Sequence, residues 1–216
     1  DGDLDLIVAN DRTENQIYKN DGNGNFVFDH YFGKKESNTR GLCIIDLNKD
    51  GYDDIVVANR KSQNYIYYNN SKGNFSKGQP FGNHDEATIK IASADLNQDG
   101  YLDLVLANRN SQHNRIYYGP DYNKFSILGG DENETRGVAI NDMNSDGILD
   151  IITVNIGAKN NIYFGDKSGN FNKSQSFGKS NDATMAVAIG DLDNDGDLDI
   201  VAANNGQKNQ YYINDG

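Results

Sequence analysis

Nine residues near the C-terminal end, Asp191-Leu192-Asp193-Asn194-Asp195-Gly196-Asp197-Leu198-Asp199, carry the densest chemistry of the sequence. Asp191, Asp193 and Asp195 stand two apart, Gly196 permits a sharp turn, and Asp199 closes the set. With the backbone carbonyl of Asp197 added, these hard oxygen donors suit Ca2+, which takes about six to eight oxygens in a flexible shell. Without a cation, carboxylates so close together repel one another.

The spacing recurs three times upstream: Asp46, Asn48, Asp50 and Asp54; Asp95, Asn97, Asp99 and Asp103; Asp142, Asn144, Asp146 and Asp150. Tyr52, Tyr101 and Ile148 take the place of the carbonyl donor. First ligands at 46, 95, 142 and 191 lie 49, 47 and 49 residues apart, and Asp1-Gly2-Asp3-Leu4-Asp5 repeats the second half of the motif. A period near 49 marks a repeat architecture. One such run alone reads equally well as a surface turn, since Asp, Asn and Gly are turn formers. Four copies at the same offsets make about four Ca2+ sites the expectation. An EF-hand would need a bidentate Glu at its twelfth position and a helix on either side; here Val57, Leu106, Thr153 and Ala202 stand there.

The elements that position these loops read as strands. In the second repeat, Gly41 to Leu47 (A) enters the loop and Asp54 to Ala58 (B) leaves it as a β-branched run. Tyr65 to Tyr68 (C) is aromatic, and a weaker strand (D) starts at Asn74 to Ser76 and ends near Phe81-Gly82. Helical periodicity is nowhere sustained, and turn residues fall every ten or so positions. Four strands per repeat of this length predict an all-β fold, a β-propeller of antiparallel blades, in preference to a β-solenoid. The predicted divisions are a partial blade 1–38, blades 39–87, 88–134 and 135–183, and a partial blade 184–216. The unfinished ends predict an arc of a larger ring, or self-association through the incomplete blades. Aromatics in strand C and at Phe26, Phe75, Phe125 and Phe171 are expected to pack between blades.

These loops, together with Phe32-Gly33, Phe81-Gly82 and Phe177-Gly178 late in their repeats, resemble the FG-GAP (VCBS-type) family, the blades of the integrin α-subunit propeller and of many secreted bacterial proteins. The third copy departs, with Leu128-Gly129 in that place. The resemblance implies calcium in the A–B hairpins on one face and partner contacts on the opposite face.

On that opposite face the B–C turns open with Asn10, Asn59, Asn108, Asn155 and Asn204. An Asn bonding nearby backbone is the structural reading, a polar ligand ring the functional one. Asn59, Arg60, His84, Asn108, Arg109 and His113 form the candidate ligand face, for a protein or carbohydrate partner. His84 and His113 beside Arg109 would also serve a lyase acting on acidic polysaccharide, the alternative to a non-enzymatic adhesion module. Arg40 and Arg136 are expected to pair with Glu36 and Glu134.

The formal charge of -12 and mean hydropathy of -0.75 argue against nucleic acid, and four bound Ca2+ would leave -4. No apolar run is long enough for a transmembrane helix, so no membrane insertion is expected. Cys43, the single cysteine, reads as a small buried side chain. Calcium loops of modest charge fill most readily at extracellular calcium levels, so an extracellular, surface or periplasmic setting is expected. The chain opens inside a motif and without an initiator Met, which reads as a segment of a longer protein.

Overall fold

The computed structural model describes residues 2–75, 77–130 and 133–216, and among them strands alone make up the regular structure. They form five antiparallel sheets, each a meander in chain order. The first holds β1 (Leu6–Val8), β2 (Asn15–Asn20) and β3 (Phe26–Phe32); the second holds β4 (Thr39–Ile45), β5 (Asp54–Asn59), β6 (Asn64–Tyr67) and β7 (Gly78–Phe81). The third comprises β8 (Thr88–Ala94), β9 (Asp103–Asn108), β10 (Asn114–Tyr118) and β11 (Lys124–Leu128). In the fourth are β12 (Glu134–Asn141), β13 (Asp150–Ile156), β14 (Asn160–Phe164) and β15 (Lys173–Phe177), and in the fifth β16 (Thr184–Gly190), β17 (Asp199–Asn204) and β18 (Gln210–Tyr212). Two compact units divide the chain, Asp1–Thr88 and Ile89–Gly216.

The sequence pattern explains why B strands lie inside. Asp54–Asn59 and Asp103–Asn108 are buried at every position, so both of their faces are covered and the apolar run is continuous instead of alternating. The A strands carry a bulge where each leaves the opposite end, between Thr39 and Gly41, Thr135 and Gly137, and Thr184 and Ala186. At the end of three D strands Phe32, Phe81 and Leu128 are buried, and the following Gly33, Gly82 and Gly129 have φ of 88, 71 and 70°. That backbone favours glycine, which is why the Gly persists even where Leu128 replaces Phe.

In the first unit, Ile17 and Phe32 pack with Ile55, Val57, Tyr65, Tyr67 and Phe75, the Phe32 and Tyr67 rings meeting edge-on at 5.4 Å. In the second, Leu96, Val105, Ile116 and Leu128 pack with Ile151 and Tyr163, and Met143, Ile152 and Ile162 with Ile200. Each such Ile or Leu contributes roughly 1.5–3 kcal/mol by leaving water.

Several expectations need correction. The D strand of the second repeat begins at Gly78, not Asn74, because Asn74 N–H is bound by the Asn70 side chain in a turn; Ser76 lies outside the described residues. Phe75 is buried and Phe171 half-buried as expected, but Phe26 and Phe125 point to solvent, 48% and 46% exposed. They sit on the opposite side of an outer strand, one pleat away from the core. Cys43 is half-buried, and burial raises its thiol pKa.

Candidate metal centres

Each acidic loop is a wrapped turn closed by its own carboxylates. In the second repeat Asp46 accepts Asp50 N–H on Oδ1 at 3.1 Å and Gly51 N–H on Oδ2 at 2.9 Å, and Asp50 Oδ1 accepts Tyr52 N–H at 2.9 Å. The loops at Asp95 and Asp142 repeat these contacts within 0.2 Å. In the last loop Asp191 binds Asn194 N–H and Gly196 N–H, and Asp195 binds Asp197 N–H. Two left-handed residues bend every loop: Gly51, Gly100, Gly147 and Gly196, and, two before them, Lys49, Gln98, Ser145 and Asn194 with φ of 61, 57, 58 and 64°. The sequence signalled the first set but not the second, since four different residue types occupy that position.

The closing Asp of each loop does more than its place in a ligand string suggests. Asp54, Asp103, Asp150 and Asp199 are fully buried. Their Oδ2 atoms accept the N–H of Leu47, Leu96, Met143 and Leu192 at 3.1, 3.1, 2.8 and 2.7 Å. Their Oδ1 atoms accept the N–H of Asn69, Gly119, Gly165 and Asn214 at 2.8, 3.0, 2.9 and 2.9 Å. One carboxylate thus ties the A–B loop to the C–D turn at the same end of the sheet. Asp5 makes half of this clamp, accepting Asn20 N–H at 3.1 Å while pairing with Lys19.

Electrostatics make these clamps uneasy without a counter-charge. Burial pushes the Asp54, Asp103 and Asp150 carboxyls upward, Asp103 to about 6; the two N–H donors pull each back in part, and the loop carboxylates Asp46 and Asp50, Asp95 and Asp99, and Asp142 and Asp146 push them up again. In the last loop the carboxylate oxygens of Asp191, Asp193 and Asp195 lie within 4.8 Å of one another. Desolvation and the neighbouring Asp195 raise Asp193. All four loops offer hard oxygens only, so the residues present fit a divalent cation of the Ca2+ class. Asp46, Asn48, Asp50 and Asp54 with the Tyr52 carbonyl, and their counterparts in the other loops, are the donors that would hold it.

At the opposite end of each sheet the bonding is mainly by amides and hydroxyls, joined after the second sheet by the buried Glu86, whose Oε2 accepts Asn64 Nδ2 at 3.1 Å. Asn155 N–H donates to Asn160 Oδ1 at 2.9 Å, Asn155 Nδ2 to Lys159 O at 2.7 Å, and Thr135 Oγ1 to Asn155 Oδ1 at 2.8 Å. Asn160 Nδ2 then donates to Thr184 Oγ1, which donates to Asn204 Oδ1. In the first unit Thr39 Oγ1 donates to Asn59 Oδ1, and Asn59 N–H to Asn64 Oδ1. Asn59, Asn108 and Asn155 are buried, so their geometry is that of the structural reading and not of a ligand ring. The partners Asn64, Asn114 and Asn160 escaped the sequence reading, which takes Thr39, Thr135 and Thr184 only as the starts of repeats, although all of them recur at the repeat period.

Of the remaining ligand-face candidates, Arg60 and His84 belong to the first unit, and Arg109 and His113 to the second. His84 is exposed; Arg60, Arg109 and His113 are half-buried. Arg109 Nε donates to Glu134 Oε2 at 3.1 Å, while Asn110 N–H donates to Glu134 Oε1. Glu134 is therefore held by Arg109, not Arg136, and Arg40 pairs with Asp11 at 2.8 Å instead of Glu36.

The sequence profile of the FG-GAP-like repeat matches residues 1–57, 46–106, 95–153 and 142–202. The chain belongs to the FG-GAP-like repeat family. Each FG-GAP-like match ends inside the B strand of the repeat that follows its start, so neighbouring matches share an acidic loop. Among solved structures, the Vibrio cholerae biofilm matrix protein Bap1 aligns with a TM-score of 0.51 and 17% identity, over 92% of this chain and 30% of that one. BBS1N, solved in complex with ARL6DN, aligns with a TM-score of 0.49 and 16% identity, over 77% of this chain and 47% of that one. This chain therefore spans less than half the length of either. No curated protein matches the sequence significantly.

Proposed function

We propose that this FG-GAP-like chain is a non-enzymatic, calcium-stabilised module of an extracellular or cell-surface protein, which binds a protein or carbohydrate partner on the face opposite its acidic loops. One observation carries the reading: in four successive repeats a buried Asp clamps two backbone segments beneath a turn of converging oxygen donors. Bound Ca2+ supplies positive charge to donors that otherwise repel. The chain's own residues do the rest. The Asp residues at the first and fifth positions of each loop, such as Asp46 and Asp50, orient it, the closing Asp transmits its position to the C–D turn, and the glycine permits the turn. The polar ends of the B–C turns, kept rigid by the Asn and Thr contacts, are left as the surface that varies between repeats.

Calorimetric titration with calcium tests the assignment. About four equivalents are expected, and the double variant Asp95→Ala, Asp99→Ala should bind one fewer. Unchanged stoichiometry in that variant would contradict the donor assignment.

A further inference from the structure

The repeat supplies an internal control for one position of the B–C turn. Asn204 and Asn209 in the fifth sheet correspond to Asn59 and Asn64 in the second, since Asn204 N–H donates to Asn209 Oδ1 as Asn59 N–H does to Asn64 Oδ1. Between them, Gln207 corresponds to Ser62. Gln207 spans to the loop that precedes its sheet: Ala183 N–H donates to Gln207 Oε1, and Gln207 Nε2 donates to Asn181 O, each at 3.0 Å. The carboxamide closes that junction. Ser62 ends at Oγ, far short of such a span. In its place the first unit has an open cleft of about 390 Å3, lined by Lys34, Glu36, Ser62, Tyr65, Pro80 and His84 among others.

Three features of this cleft point to a ligand. Ser62 Oγ is enclosed and has no hydrogen-bond partner among the described residues. A buried hydroxyl left so is unfavourable, and a bound polar group would satisfy it. Lys34 Nζ lies 4.9 Å from the centre of the Tyr65 ring, and no carboxylate among the described residues lies within ion-pair distance of it. A cation parked on an aromatic face is ready to meet an incoming anion. Tyr65 and Pro80 are directly opposed across β6 and β7, so exposed Pro80 presents an apolar surface with the largely buried Tyr65 beside it.

We propose that this cleft binds a hexuronate residue of an acidic glycan. Lys34 receives the carboxylate, Ser62 and Glu36 bond the ring hydroxyls, and exposed Pro80 takes the C–H face of the sugar. The size is within the range of small-ligand clefts, roughly 300–1,000 Å3. An acidic peptide is the less fitting occupant: Glu36 in the lining bonds hydroxyl donors but repels a second carboxylate, and the outer edge of β7 carries Pro80, which has no N–H to offer a peptide main chain. His84 at the rim adds a donor for a neighbouring sugar.

The inference rests on the binding role proposed for this face and is tested apart from the calcium claim. Calcium-loaded protein is titrated with a tetrasaccharide alternating glucuronate and N-acetylglucosamine, with its carboxyl-reduced counterpart, and with an acidic hexapeptide. The intact tetrasaccharide should bind, and the reduced one should bind roughly tenfold more weakly or worse. Ser62→Gln introduces the side chain that Gln207 already fits at this position; it should lose binding by a similar factor while calcium stoichiometry and melting temperature stay unchanged. Lys34→Gln, at an exposed position, should weaken the acidic sugar and spare the reduced one. Absence of tetrasaccharide binding, unaltered binding by Ser62→Gln, or equal or tighter binding of the peptide would each overturn the assignment.

Discussion

At one end of each sheet the hairpins are held by carboxylates, at the other mainly by amides and hydroxyls, with Glu86 and Glu134 the carboxylate exceptions. The second arrangement is complete in itself: Asn155 donates and accepts in balance with Lys159, Asn160 and Thr135. The first is not. Asp150 accepts two backbone N–H groups, but Asp142 and Asp146 crowd negative charge above it and push its carboxyl toward the neutral form. Neutral contacts hold a turn under any conditions, whereas crowded carboxylates hold it best when a cation is present. On the calcium reading proposed above, one end of the sheet is a fixture and the other responds to the cation.

The largest expected effect probes the neutral end. Asn155→Ala removes the side-chain contacts to Lys159 O and Thr135 Oγ1 at a fully buried site, keeping the backbone bond to Asn160, and should cost roughly 3 kcal/mol in urea unfolding, equally with calcium and with chelator. A loss seen only with calcium would break the comparison. Next in size, Asp146→Ala at an exposed donor position should cost about 2–3 kcal/mol when calcium exceeds its Kd a hundredfold, and almost nothing in chelator. Equal losses in both conditions would make Asp146 a scaffold residue only.

A smaller effect sharpens the electrostatic half. The Asp103 carboxyl is raised to about 6 in the folded protein, above its unfolded value near 3.8, so folding favours its protonated form. For metal-free protein this group's contribution therefore becomes more favourable as pH falls from 7 through 6 and is complete near 4. The melting-temperature difference between wild type and Asp103→Asn should shift in favour of wild type over that window in chelator. A pH-independent difference would show that Asp103 is not perturbed.

Sequence alone carried much of this. The B strands were legible because Ile55 to Ala58 and Leu104 to Ala107 are continuous apolar runs, and burial on both faces is what such runs require. The acidic loops were legible because their offsets repeat. D strands were harder to place: β7 is four residues with Pro80 inside, held by pairing to β6 and not by its own propensity. The double role of Asp54 was hidden, since a carboxylate at that offset reads as a ligand whether or not it also binds Leu47 and Asn69. Nor could sequence disclose the cleft beside Ser62, which needs Lys34, Tyr65, Pro80 and His84 brought together from separate segments.

Thermal unfolding in calcium and in excess chelator addresses the cation-dependence of the acidic ends most directly. A melting temperature lower by many degrees in chelator, restored when calcium is added back, is the expected result. Superimposable melts in the two conditions would contradict it, because the crowded carboxylates would then hold their turns unaided.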